Sequence, residues 1–174
     1  MPTKLYGRTL MGSGTLNGVS AAELAKIDGI AASAYPVVAA EVTFTETSGS
    51  GTYTGSVSVP AGATLHDILI SGVALWNNAG ACTLKVGDVA DDDGYYTAVD
   101  LKATDLLAGE SLSFALAGGK AGAYIANNQV SPRYSATARV ISGIVTTAST
   151  GGTTGRTRMT VIYSLPTASA ATKA

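Results

Sequence analysis

Charge is scarce in this chain. Lysine, arginine, aspartate and glutamate make up 13% of its 174 residues, about half of the roughly 25% usual for soluble proteins. The formal net charge is -1 and the basic residues are scattered, so no stripe exists to track a phosphate backbone and no nucleic-acid partner is expected. Cysteine is single: Cys82 cannot close an internal disulfide, and its alternation with Leu84 and Val86 marks a small apolar core residue. Histidine is single as well. On a strand His66 and its neighbour Asp67 point opposite ways, so they do not form a base with its orienting acid. The chain holds no nucleophile elbow, no H-E-x-x-H pair and no Cys-His spacing, and its glycine-rich stretches, Gly118-Gly119-Lys120 and Gly151 to Gly155, lack the phosphate-loop spacing and read as turns. No catalytic residue, metal set or cofactor is assigned, and an enzyme is not expected. The longest apolar run, Ile68 to Trp76, is too short to cross a bilayer, and the first residues lack the apolar core of a secretory signal. No membrane partner is expected, and synthesis is placed in a cytoplasm.

What the chain has in place of charge is glycine, alanine, threonine and serine, the composition of a turn-rich β protein. Thr52 to Trp76 is the clearest stretch. Tyr53, Val57 and Val59 alternate with Thr52, Thr54, Ser56 and Ser58, the pattern of a sheet with one wet face. After Pro60-Ala61-Gly62 comes a strand apolar on both sides, with Ile68, Ile70, Ala74 and Trp76 on one and Leu69, Val73 and Leu75 on the other. One of those sides must face something besides the domain's own core, whether a second sheet or a neighbouring subunit.

The residues from Pro2 to about Asn17 show almost no periodicity and read as an extended arm. A capping box, Ser20-Ala21-Ala22-Glu23, then opens one short helix carrying Leu24, Ile27 and Ile30, which Asp28-Gly29 brings to its end. So short a helix needs a surface to dock on. From Val37 the period is two, with strands expected at Glu41 to Thr47, Thr52 to Val59, Leu65 to Trp76, Cys82 to Val86, Tyr95 to Leu101, Ser111 to Leu116, Tyr134 to Thr146 and Arg156 to Leu165. A helical turn is expected at Ala103 to Leu107, and Leu112, Phe114 and Leu116 are expected to share an inward face. The fold class is therefore all-β: an eight-stranded jelly-roll-like β-sandwich with an N-terminal extended arm and one short helix. The domains are 1–36 for the arm, 37–166 for the sandwich and 167–174 for a flexible tail.

The acidic cluster Asp88, Asp91, Asp92, Asp93 and Asp100 fits a calcium loop badly: with Gly94 at the sixth position of the twelve-residue template, Asp91 and Asp93 fall on the third and fifth and Asp100 on the twelfth, but the first ligand position is Val89. Asp93-Gly94 reads better as the tight turn of a hairpin with solvated carboxylates around it. Arg156 and Arg158 point the same way from the last strand and Arg139 lies in the one before. They line an inter-subunit seam or an ordinary solvated sheet face.

Two segments carry a resemblance. Ser20 to Ser33, SAAELAKIDGIAAS, resembles an element recurring in trimeric phage fibres and head-attached proteins. The body, from VSVPAGATLHDILISGVALW through KVGDVADDDGYYTAVDLKATDLLAGESL to RYSATARVISGIVTT and GRTRMTVIYSL, resembles small jelly-roll proteins of tailed bacteriophages taken to be capsid decoration or cement proteins. The resemblance implies a homotrimer on the capsid exterior of the virion, bound to the phage major capsid protein and stabilising its lattice. Candidate subunit or capsid interface residues are then Leu24, Ile27, Ile30, Ile68, Ile70, Trp76, Arg139, Arg156 and Arg158. The alternative is a receptor- or carbohydrate-binding tip of a phage fibre, with Tyr95 and Tyr96 as the aromatic candidates. A calcium-dependent hydrolase on Asp91 to Asp93 finds no base to complete it.

Overall fold

The structure, a computed structural model, describes residues 37–126 and 129–165 and two short strands ahead of them, Thr15–Leu16 (β1) and Val19–Ser20 (β2), which pair antiparallel. Val37–Leu165 forms one compact unit, and the chain on either side belongs to a second, of which only β1 and β2 are described. The expected helix beyond Ser20, with Leu24, Ile27 and Ile30, and the expected tail lie outside the described residues.

Within Val37–Leu165 the period-two segments become strands. They are Val37–Thr45 (β3), Thr52–Val59 (β4), Thr64–Ala74 (β5), Cys82–Gly87 (β6), Tyr96–Asp100 (β7) and Ser111–Leu112 (β8), followed by the short pair Ile125–Ala126 (β9) and Gln129–Val130 (β10), then Arg139–Thr147 (β11) and Arg156–Ser164 (β12). Two antiparallel four-stranded sheets result, in the orders β3-β12-β5-β8 and β4-β11-β6-β7. The links β3 to β4, β4 to β5, β5 to β6 and β11 to β12 each carry the chain from one sheet to the other. This interleaving of early and late strands is the jelly-roll-like sandwich that the pattern predicts.

One core lies between the sheets. Phe44, Ile68, Ile70, Met159 and Val161 enter it from the first, and Val57, Val59, Leu84, Val86, Ile141 and Val145 from the second. Each side chain of this size contributes about 1.5–3 kcal/mol on full burial. Close approach inside this core depends on glycine at Gly143: a Cβ there would meet Phe44 Cζ at 2.5 Å, so the ring fits only over a bare backbone. The β4 to β5 crossing turns at Pro60, with Ala63 N–H donating to Pro60 O at 3.3 Å and Gly62 at φ 78, a value that glycine adopts without strain.

The structure departs from the periodic reading at several places: β3 runs from Val37 to Thr45 where Glu41 to Thr47 is expected, and the pair β9 and β10 is not expected. The sixth strand stops at Leu112, Phe114–Leu116 forms a 3-10 turn, and Leu116 is 68% exposed instead of inward. Asp67 Oδ1 accepts the Phe114 N–H at 2.9 Å and so draws that backbone away from the ladder. The penultimate strand begins at Arg139, not Tyr134, because the preceding loop is tied down by side chains described below. Residues 101–105 are turns, nucleated by Asp100 Oδ1 accepting the N–H groups of Lys102 and Ala103 at 2.7 and 3.0 Å.

Candidate functional site

Strand β5 pairs with β12 through two register shifts. At the first, Ile162 stands opposite Asp67 and Tyr163 opposite Leu65, leaving His66 as the extra residue. Such a bulge re-aims side chains. Leu65 turns into the core while His66 stays exposed. The carbonyl of His66 is met by Arg133, whose NH1 donates to it at 2.7 Å and to Leu65 O at 3.4 Å. The Arg133 guanidinium also lies 5.8 Å from the Phe114 ring centroid, a cation–π contact. Asp67 is held equally firmly, Oδ1 accepting Ile68 N–H at 2.8 Å and Phe114 N–H at 2.9 Å. His66, Asp67, Phe114, Ala115 and Arg133 together line an open depression of about 390 Å³. Three separate chain segments build it, which is why the sequence pattern gives no hint of Arg133 or Phe114 as site residues.

The second register shift leaves Val73 as the extra residue between Arg156↔Ala74 and Thr157↔Gly72. Val73 is 47% exposed and Leu75 42% exposed, whereas Ile68, Ile70 and Trp76 are buried in the core. The expectation that Ile68, Ile70 and Trp76 meet another chain is thereby corrected: the second sheet covers their side of β5, and the apolar side left open carries Val73 and Leu75. Trp76 is fixed by Nε1 donating to Thr157 Oγ1 at 2.9 Å and by an edge-on contact with Tyr53 at 5.0 Å.

The three arginines separate. Arg156 and Arg158 are both exposed on β12, and Arg158 lies 3.8 Å from Glu41 of β3, which also accepts from Thr160 Oγ1 at 3.1 Å. Arg139 is engaged inside its own chain: NH1 donates to Pro132 O at 2.7 Å and reaches Tyr95 Oη at 3.3 Å, and NH2 donates to Arg133 O. Its guanidinium lies under the loop that precedes β11. Tyr95 and Tyr96 are fully buried, 0% exposed, and so offer no stacking face to a ligand. Burial pushes both phenols above their ordinary range.

The acidic segment links β6 and β7 as a hairpin, as expected, but through a loop over residues 88–95 and not a tight Asp93-Gly94 turn. Asp88 Oδ1 accepts from the N–H groups of Ala90 and Asp91 and from Tyr124 Oη at 2.9 Å, and Gly87 is required because a Cβ there would meet Asp91 O at 2.0 Å. Burial, then the hydrogen bond and charge of Asp88, push the Tyr124 phenol up to about 12. The carboxylates of Asp91, Asp92 and Asp93 lie within 4.8 Å of one another, and Lys85 pairs with Asp92. A hydrogen bond with Asp91, slight burial and the charges of Asp91 and Asp92 hold the Asp93 carboxyl above its usual range. These groups repel one another across a solvated turn.

No protein-family model matches the chain. No curated protein matches it either. Among solved structures it is similar to a chain of the acidic stable capsid structure of Helicobacter pylori bacteriophage KHP30, at TM-score 0.48 and 15% identity over 75% of this chain and 88% of that one. It is similar as well to a chain of the cyanophage Pam1 capsid asymmetric unit (0.45, 20%, 75% and 84%) and to one of the capsid of Ralstonia phage GP4 (0.46, 15%, 75% and 85%). At these values they are partial likenesses of fold.

Proposed function

We propose that this chain is a structural virion protein that binds the outer surface of a phage head as a homotrimer, contacts the major capsid protein and stabilises its lattice. The observation that supports it is the open side of β5, where Val73 and Leu75 remain in solvent in a chain that has few charges to keep such surface apart from other proteins. The resemblance of Ser20 to Ser33 and of the sandwich to head-associated phage proteins supplies the kind of particle. Leu24, Ile27, Ile30, Arg156 and Arg158 join Val73 and Leu75 as the proposed interface. The mechanism is contact without turnover: a subunit that binds only the assembled lattice favours assembly by mass action. Light scattering of the purified chain and electron microscopy of intact heads test the proposal. A trimer in solution and extra density on the head surface are expected; a monomer absent from the particles overturns it.

A further inference from the structure

We propose that the depression at the His66 bulge is a binding site for a neutral, hydroxyl-rich ligand, a saccharide. The two charged groups that line it are each locked by backbone partners: Arg133 through NH1 on the carbonyls of Leu65 and His66, and Asp67 through Oδ1 on the N–H groups of Ile68 and Phe114. Neither is locked by the other. Among the described residues no ion pair joins Arg133 to Asp67, and nothing accepts from Arg133 Nε or NH2 or donates to Asp67 Oδ2. An acid and a base therefore share one depression, and each has hydrogen-bonding atoms engaged by no described residue that can exchange water for a ligand.

Chemistry narrows the occupant. One guanidinium and one carboxylate cancel, so the net charge of the lining selects neither an anion nor a cation. The groups free to exchange are donors on Arg133 and an acceptor on Asp67, and a hydroxyl both donates and accepts. Two hydroxyls on adjacent carbons can serve both residues at once, and the exposed methyl of Ala115 adds an apolar contact, while Phe114, buried beneath Arg133, holds the guanidinium in place and does not stack on the ligand. The volume of about 390 Å³ lies within the range of small-ligand sites. Preorganisation favours binding because neither charged side chain must be ordered anew. The bulge explains why this place is a site at all: it turns Leu65 inward, exposes His66 and frees the carbonyl that seats Arg133. The site does not depend on the oligomer proposed above.

The test is an amide NMR titration of the full chain with the methyl glycosides of glucose, galactose, mannose and N-acetylglucosamine at millimolar concentration. Inorganic phosphate and glycine serve as anionic and zwitterionic probes. Shifts confined to the amides around Asp67, Phe114, Ala115 and Arg133 are expected with at least one glycoside. Asp67→Asn keeps the oxygen that holds Ile68 and Phe114 but removes the charge, and should weaken that glycoside by about tenfold, the loss of one charge-assisted hydrogen bond. Ala115→Leu, which touches none of the hydrogen bonds, should block the depression and serves if the first variant does not fold. Glycosides that leave these amides unmoved, phosphate or glycine moving them in place of a glycoside, or a folded variant of either kind with unchanged affinity overturns the proposal.

Discussion

Cys82 is sealed inside the sandwich, and burial first, then the charge of Glu46, pushes its thiol up to about 12. The thiolate is the reactive form, so a thiol reagent at pH about 8 should leave the native protein unlabelled and react stoichiometrically once denaturant is added. Labelling of the native chain at the rate of a free thiol would contradict the burial. Asp93 makes the opposite kind of prediction, on the surface. Its folded carboxyl binds a proton more readily than the unfolded one, so its cost to stability is absent below the unfolded value, sets in as pH rises towards the folded value and persists above it. Asp93→Asn should raise the melting temperature at neutral pH and change nothing in acid below the ordinary carboxylate range; equal melting curves at neutral pH would show that the cluster's repulsion does not reach the fold. The burial of Cys82 and the exposure of Arg156 and Arg158 are legible from alternation alone. The partners of Arg139 and the seat of Arg133 are not, because carbonyls carry no sequence signal and every residue has one.

Glu46 is a buried carboxylate that ties three elements at one end of the sandwich. Placed just past β3, it accepts from Asn77 N–H and Asn78 N–H, both at 3.1 Å, in the chain beyond β5, and from Gly155 N–H at 2.9 Å just ahead of β12. Glu46→Ala would leave those donors without an acceptor and should cost on the order of 3 kcal/mol in urea unfolding, since each orphaned buried donor costs about 1–3 kcal/mol. Glu46→Gln retains the volume and one accepting oxygen and should cost less; equal losses would mean that the charge and second accepting oxygen, which both variants lack, carry the stabilisation and the cavity left by alanine adds nothing. The strands themselves were readable: β4 has the expected bounds, and β6 and β12 differ from expectation by one residue at an end. The two register shifts in β5 and the 3-10 turn at Phe114 were not. A bulge adds one residue without changing the local alphabet of apolar and polar types, and the turn follows from Asp67, far away in the chain.

The sandwich as a unit leaves Val73 of β5 and Leu75 just beyond it exposed. If Val73 and Leu75 lie in the trimer or capsid contact, the double variant Val73→Lys with Leu75→Lys should keep the thermal unfolding of the sandwich, because neither side chain is in the core, and should lose oligomer mass by light scattering or occupancy on heads. Loss of the fold itself would mean that these residues support the sheet and not an interface. Composition and period-two alternation are enough to establish a charge-poor all-β sandwich with a double-sided strand, since each strand's buried face is written in every second residue. Which side of that strand is open, where the sheets interleave, and how His66, Asp67, Phe114 and Arg133 come to line one depression were decided only by the packed structure. Those outcomes depend on register and on backbone hydrogen bonds between segments that the chain itself holds far apart.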